Sequence, residues 1–364
     1  MDKYSKVVFF FGTKGQFIKT YHLLNTLNSK NVNVELVDTG QHTETISKEI
    51  SNLNFDFKYK KYGQNKTDIS SIKEMIPWFL KTFFKIIFSK KDKERNICII
   101  HGDTASTLLG IIWGKKNNSK ILHIESGWRS EKIFQPFPEE IIRQISERFS
   151  DILVPDGKVQ LKNLAKYSLS KKIVPIKKNT IYDTLLNNLD SKQDSNLNKL
   201  LITIHRTENI YNKKNLSNLV DFIEMIKNKE FFDEIVWYCH KPTLQILRKN
   251  NYEKLLKQLG VNVEMLLTHY KFINAVNTSK CVLTDGGGVA QEASFLGIPL
   301  IIWRTKIKTD HQYQDNKNVL VSNYNFKDTI SFIKSIRSDE KTKTEVNESS
   351  SEIIADEIEK LIVN

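Results

Sequence analysis

Lys6-Val7-Val8-Phe9-Phe10-Phe11-Gly12-Thr13-Lys14-Gly15 is an apolar run that stops at a turn bracketed by two glycines. A strand apolar at consecutive positions is covered on both faces, as in a parallel sheet flanked by helices. Phe17, Ile18, Tyr21, Leu24 and Leu27 then fall on one side of a helix. The unit recurs. Val32–Val37 ends at Asp38-Thr39-Gly40, and Ile97–Ile100 and Ile121–Ile124 each pass through polar or glycine-containing turns into helical stretches. Strand alternating with helix at this spacing predicts a doubly wound parallel sheet.

The pattern restarts after residue 195. Strands are expected at Leu200–Ile204, Ile235–Cys239, Val282–Leu283 and Pro299–Trp303, with helices at Leu216–Ile226, Leu244–Leu256 and Val289–Leu296. Lys171–Asn198, with Pro175, paired lysines and a run of Asn, Asp and Ser, reads as a linker and a surface helix. The expected fold class is therefore α/β with two Rossmann-like domains, 1–175 and 176–345. A C-terminal helix within 346–364 would cross back to the first domain. Ligands of such sheets bind where loops and helix N-termini converge at the carboxyl ends of the strands. Two such sheets predict an active site in a cleft between the domains.

Composition narrows the function. The chain has 364 residues, 40% of them hydrophobic, enough to fill two cores. No uncharged run of about 18 residues is present, so no transmembrane helix is expected. The first strand is too short for a signal sequence and lacks a cleavage site, which predicts a cytoplasmic protein. Cys98, Cys239 and Cys281 are scattered in or beside apolar runs and read as buried thiols rather than a disulfide framework or a zinc site. A formal charge of +13 points to anionic small molecules or a membrane surface; no nucleic-acid module is recognisable.

Polar motifs follow the strands. Gly12-Thr13-Lys14-Gly15 opens a helix, where a phosphate or carboxylate is attracted, and Lys14 and Lys19 add positive charge. His101-Gly102-Asp103-Thr104 places a carboxylate after a strand, although Asp103 reads equally as a helix cap. His123-Ile124-Glu125-Ser126-Gly127-Trp128-Arg129 adds a second strand-end carboxylate. Phe137-Pro138-Glu139-Glu140 adds two at a helix start, where charge also favours the helix dipole. In the second half, His205-Arg206 follows a buried strand as a potential anion ligand and proton donor. Asp285-Gly286-Gly287-Gly288 opens a helix whose free N–H groups suit a diphosphate, and Glu292 is one turn in, where it suits ribose hydroxyls.

These loops, in this order, resemble the UDP-N-acetylglucosamine 2-epimerase family, which has the two-domain GT-B fold. The matching stretches are Phe11-Gly12-Thr13, Thr39-Gly40-Gln41-His42, His101 to Thr104, His123 to Ser130, Pro136 to Glu140, His205-Arg206 with Glu208-Asn209, and Asp285 to Gly288 with Glu292-Ala293. They span about residues 6–305 and look closer to the non-hydrolysing branch. The resemblance implies that Asp103, Glu125, Glu139 and His205 are catalytic. It further implies that Lys14, Lys19, Arg129, Arg206, Phe272, Gly286, Gly287, Gly288 and Glu292 bind a UDP-sugar, with Phe272 against uracil, although Phe272 reads equally as a core residue. No cofactor or metal is expected, and a homodimer is compatible with the family. The implied chemistry eliminates UDP to a 2-acetamidoglycal and adds it back with C2 inverted, in bacterial surface-polysaccharide precursor synthesis. The chain departs from the family pattern in several places. Lys14-Gly15-Gln16 stands for Arg-Pro-Glu, Gly286 for a serine, Ile142-Arg143 for Asn-Arg and Thr207 for an arginine.

Residues 76–91 point elsewhere. Ile76-Pro77-Trp78-Phe79-Leu80-Lys81-Thr82-Phe83-Phe84-Lys85-Ile86-Ile87-Phe88 precedes Lys90-Lys91 and reads as a helix with Pro77 in its first turn. Lys81 and Lys85 share one side, and Phe79, Phe83, Ile86 and Ile87 supply much of the apolar surface, with Phe84 and Phe88 beside them. An ordinary buried helix is one reading; docking on the inner face of an anionic membrane is the other. The second favours a GT-B glycosyltransferase with a lipid-linked acceptor as the alternative function.

Overall fold

Residues Val7–Phe11 are all buried, as a strand with both faces covered must be. The computed structural model describes residues 4–363 except 51–56, 64, 66–67, 70–71, 131–137, 190–197, 308–309, 311–312, 314–315 and 337–347. The chain divides into two compact units, Met1–Asn187 with Asn347–Asn364, and Asn188–Val346.

The first unit runs β1 (Lys6–Phe11), α1 (Lys14–Ser29), β2 (Val34–Asp38), α2 (Thr43–Ile50), β3 (Lys58–Lys61), α3 (Ile72–Phe88), β4 (Asn96–His101), α4 (Ala105–Lys116), β5 (Lys120–Ile124), α5 (Glu139–Phe149), β6 (Ile152–Val154), α6 (Lys158–Asn163), β7 (Lys172–Ile173) and α7 (Ile181–Asn188). Its seven strands are parallel in the order β3-β2-β1-β4-β5-β6-β7, so the direction of winding reverses between β1 and β4. At that switch point, Cβ-less Gly12 lets the turn after β1 pass against the hydroxyls of Thr39 and Ser106. Register pairs His101 of β4 with Ile124 of β5, which brings Gly102 and Glu125 to the same sheet edge.

The second unit runs β8 (Lys199–Thr203), α8 (Thr207–Ile210), α9 (Lys213–Asn228), β9 (Glu234–Cys239), α10 (Lys241–Lys249), α11 (Tyr252–Gln258), β10 (Asn262–Met265), α12 (His269–Asn277), β11 (Cys281–Thr284), α13 (Gly287–Phe295), β12 (Leu300–Ile302), β13 (Val319–Val321) and α14 (Phe326–Ser335). Its parallel sheet has the order β10-β9-β8-β11-β12-β13. Thr203 of β8 pairs with Thr284 of β11, so the His205 and Asp285 loops leave the sheet side by side. The last helix, α15 (Ser350–Val363), belongs to the first unit, where Ile354, Ala355 and Ile358 enter its core.

Several elements depart from the reading of the sequence. The first unit continues to Asn187 rather than ending at 175. Thr184 of α7 is held there, donating to Ile18 O at 3.1 Å and accepting from His22 N at 3.3 Å. The expected linker therefore contains β7 and α7; its Asn/Asp/Ser run lies outside the described residues. The helix expected over Leu244–Leu256 is two, broken where Asn251 takes a left-handed φ of 61°. Pro77 sits inside α3, not in its first turn, because the helix begins at Ile72. The free thiols of Cys98, Cys239 and Cys281 are buried, and burial pushes Cys239 up to about 12.

Candidate active site

In the first unit, the ends of β4, β5 and β6 and the start of α5 gather one charged cluster. Lys19, one turn into α1, donates at 2.8 Å to both carboxylate oxygens of Glu125. Glu125 carries a left-handed φ of 65°, rare for a residue with a side chain and typical of strain stored at functional sites. The Nε2 of buried His101 is 3.2 Å from Glu125 Oε2. Burial lowers His101 to about 4, so its ring is neutral at ordinary pH. Burial works to raise the Glu125 carboxyl, but Lys19 and His101 outweigh it and hold the group well below the usual carboxylate range. Lys19, depressed by burial, is raised overall by Glu125.

Asp103 differs. Burial raises its carboxyl, the Glu125 charge adds to this, and Arg143 offsets only part of it. Arg143, from the second turn of α5, pairs with Asp103 and, at 2.9 Å, with Glu140. Asp156, just beyond β6, is also raised by burial and by Glu125, and accepts from Trp128 Nε1 at 2.8 Å and Asn179 Nδ2 at 2.7 Å. Neighbouring carboxyls are thus pushed in opposite directions, the arrangement that separates an acid from a base.

The two glutamates of α5 separate in role. Glu140 is 2% exposed and satisfied by Ser130 N, Ser130 Oγ, Arg143 and Gln144, so it is structural. Glu139 Oε2 is buried with no hydrogen-bond partner among the described residues. Pro136 and Phe137 of the same motif lie outside those residues. Arg129 does not present an open guanidinium. It grips the fully buried Glu147 with both terminal nitrogens, one of them at 2.7 Å, and donates to Trp128 O. Lys14 begins α1, its backbone N–H donating to His42 Nδ1 at 3.4 Å. Gln16, where the family pattern has a glutamate, accepts from Gly12 N and Thr13 N and donates to His101 O at 2.7 Å, tying the turn after β1 to the end of β4.

The second unit brings two post-strand loops together. Buried Asp285 accepts from His205 N at 3.0 Å, Arg206 N at 2.9 Å and Asn209 Nδ2 at 2.8 Å, which fixes the loop after β8 against the loop after β11. Gly286 is the N-cap of α13. A Cβ there would lie 2.6 Å from His205 Cε1, so the missing serine leaves the space that the imidazole fills. Beside Gly287 and Gly288 the space that a Cβ would take is empty of other segments among the described residues, and the first N–H groups of a helix have no partner within it. Arg206 ion-pairs with Glu208 at 3.2 Å. Glu292 is 2.9 Å from His269 Nε2, and Phe272 is 4% exposed, its ring edge-on to Tyr238.

Sequence reasoning did not single out His101, His123, Arg143, Glu147, Asp156 or His240. Asp156 and His240 follow strands, the same signal that flagged Asp103 and Glu125. The His240 ring is centred 4.9 Å from that of His205. Arg143 was marked only as part of a motif, although it lies four residues beyond Glu139 on one helix.

The family model for UDP-N-acetylglucosamine 2-epimerase matches residues 25–358. A UDP-N-acetylglucosamine 2-epimerase of Methanocaldococcus jannaschii is 26% identical over 331 residues, covering 87% of this chain and 88% of that protein. One from Salmonella borreze is 27% identical over 360 residues, covering 93% and 91%. A solved M. jannaschii UDP-GlcNAc 2-epimerase in complex with UDP-GlcNAc and UDP superposes with a TM-score of 0.75 at 24% identity, over 96% of this chain and 98% of that one. With the match running through both units, the chain belongs to the UDP-N-acetylglucosamine 2-epimerase family.

Proposed function

We propose that the protein is a UDP-N-acetylhexosamine 2-epimerase working by elimination and re-addition of UDP. One observation carries the residue-level reading: Asp103 and Glu125 lie in one partly buried cluster with their proton affinities pushed apart. A raised Asp103 suits the group that exchanges a proton with substrate, while Glu125, held ionised by Lys19, supplies fixed negative charge. In this mechanism the C2 proton passes to Asp103. The C2–H electron pair forms the C1–C2 double bond, and the C1–O bond to the diphosphate breaks. UDP leaves with the negative charge, which the N–H groups at the start of α13 and His205 stabilise. Return of UDP to C1 and of a proton to the other face of C2 gives the epimer. Glu139, whose buried Oε2 has no partner among the described residues, is the second carboxyl available for that return.

The relatives matched over most of the chain are named epimerases, and the glycosyltransferase reading is not favoured. On this reading the reaction runs in the cytoplasm and supplies surface-polysaccharide precursors. Incubation with UDP-GlcNAc in deuterium oxide, without acceptor, tests it. Deuterium should appear at C2 of the recovered nucleotide sugar, and Asp103→Asn and Glu125→Gln should lower the exchange about 10²–10⁴-fold, the usual range for acid–base catalysis. Release of UDP only when a lipid acceptor is added, with C2 unlabelled, would overturn the proposal.

A further inference from the structure

The turn that follows Glu125 is tied down at each of its residues. Ser126 N donates to Val154 O at 3.2 Å, Gly127 N donates to the Glu147 carboxylate at 2.9 Å, and Gly127 O accepts from Asn163 Nδ2 at 2.8 Å. Gly127 takes a left-handed φ of 91°, and a Cβ there would lie 2.4 Å from Gln160 O, so the chain passes directly against α6. The last tie is a side chain. Trp128 Nε1 donates at 2.8 Å to Oδ1 of Asp156, two residues beyond β6.

The other oxygen of Asp156 accepts from Asn179 Nδ2 at 2.7 Å. The Asn179 amide is held in that orientation, because its Oδ1 accepts from Ile181 N at 3.1 Å. An indole nitrogen only donates, and Asn179 offers its NH2 group, so position 156 faces two donors and needs two acceptor oxygens. A carboxylate meets that demand. An amide would set N–H against N–H, and a protonated carboxyl would bring a proton that neither partner accepts. The charged and titratable groups around Asp156 are Glu125 after β5, Lys19 from α1 and Tyr182 on α7. Burial and the Glu125 charge raise Asp156 to about 6, against the pull of Asn179, Lys19 and Trp128. Burial and the Asp156 charge in turn push Tyr182 up to about 12.

We propose that Asp156 is a positioning residue for the epimerisation: its carboxylate clamps Trp128 to Asn179 and so fixes the turn that presents Glu125 to Lys19. The inference rests on the reading of Glu125 as part of the site. Protonation of Asp156 spoils one of the two acceptors and loosens Trp128, so turnover falls as pH drops through the Asp156 value. On the same reading the diphosphate is held by α13 and His205, so the loss falls on kcat and leaves KM nearly unchanged.

Two readouts on the full-length protein test the proposal. The first is the indole N–H resonance of Trp128 in isotopically labelled protein, identified by its loss in Trp128→Phe and followed by NMR from about pH 5 to about pH 8. It should titrate with a midpoint near the Asp156 value of about 6 and stop titrating in Asp156→Asn. The second is the pH profile of kcat for C2 exchange on UDP-GlcNAc. Asp156→Asn should lower kcat about 10–100-fold, the scale of a misplaced catalytic group, and abolish the acid limb that Asp156 sets. Asp156→Glu, which keeps two acceptor oxygens, should recover part of the rate. Trp128→Phe removes a bond that favours the ionised form and should move the limb to higher pH. A Trp128 resonance that does not titrate would overturn the proposal, as would an Asp156→Asn variant that only melts earlier, with kcat and its pH profile as in wild type. Where Asp156→Asn does not fold, a limb left in place by Trp128→Phe overturns it equally. Wild-type protein that leaves C2 unlabelled would sink the catalytic reading by itself, with the resonance still deciding whether Asp156 clamps Trp128.

Discussion

Replacing Lys19 by methionine removes the cation that holds Glu125 and leaves the chain of α1 otherwise intact. Deleting one partner of a buried pair costs about 3–5 kcal/mol, because the remaining charge is stranded. Lys19 is 23% and Glu125 16% exposed, which places this pair at the lower end. For a unit of this size, about 3 kcal/mol corresponds to a melting temperature lower by about 6–12 °C. The pH dependence follows from linkage. Because Glu125 is depressed in the fold, the pair contributes fully above the unfolded glutamate value of about 4.3 and is lost as pH falls through the lower folded value. Because Lys19 is raised, the contribution persists through neutral pH and fades only above the ordinary lysine range. Without Lys19, burial raises Glu125, and protonation then relieves the stranded charge. The deficit should therefore be largest near neutral pH and shrink toward about pH 5. Calorimetry of wild type, Lys19→Met and Lys19→Arg across that range is the assay, with the arginine variant recovering part of the loss. A methionine variant that melts within about 2 °C of wild type near neutral pH would refute the reasoning.

Gly287→Val should leave the melting temperature unchanged, since a Cβ there meets no other segment among the described residues, yet weaken UDP binding about tenfold or more by filling the approach to the helix N-terminus; unchanged affinity by calorimetric titration would show that the loop is only a turn. Gly286→Ser should also weaken UDP binding, because its Cβ displaces the His205 ring, and it should add little to His205→Ala, where the space is vacant. Tighter UDP binding by the serine variant would show instead that a restored hydroxyl matters more than the position of the imidazole.

The central strands and the order of the motifs were legible because burial on both faces leaves an unmistakable apolar run, as in Val7–Phe11 and Leu200–Ile202. The edge strands were not. Lys58–Lys61 is exposed throughout, and Val319–Val321 is only three residues long, so neither carries the pattern that identifies a strand. In the site, residues at strand ends were readable as candidates, but their environments were not. Nothing in the sequence pairs Lys19 with Glu125 across 106 positions, or Arg129 with Glu147 rather than a ligand. Helix α3 shows the same limit. Its apolar residues were visible, while which of them face inward depends on the register of the helix against β1 and β4.

Helix α15 has a consequence for how the protein is made. It packs on α1 through Ile354, Ala355 and Ile358, and Lys30 at the end of α1 reaches Asp356 and Glu359 at 2.9 Å. Helix α1 also carries Gln16 and Lys19. Synthesis from the N-terminus releases α15 only after the entire second unit has emerged, so the first unit spends translation with part of its core uncovered. The second unit, continuous in sequence, has all of its strands at hand first. The order of completion is the reverse of the order of synthesis, and closing a loop of more than 300 residues is the final step in assembling the half that carries the carboxylates.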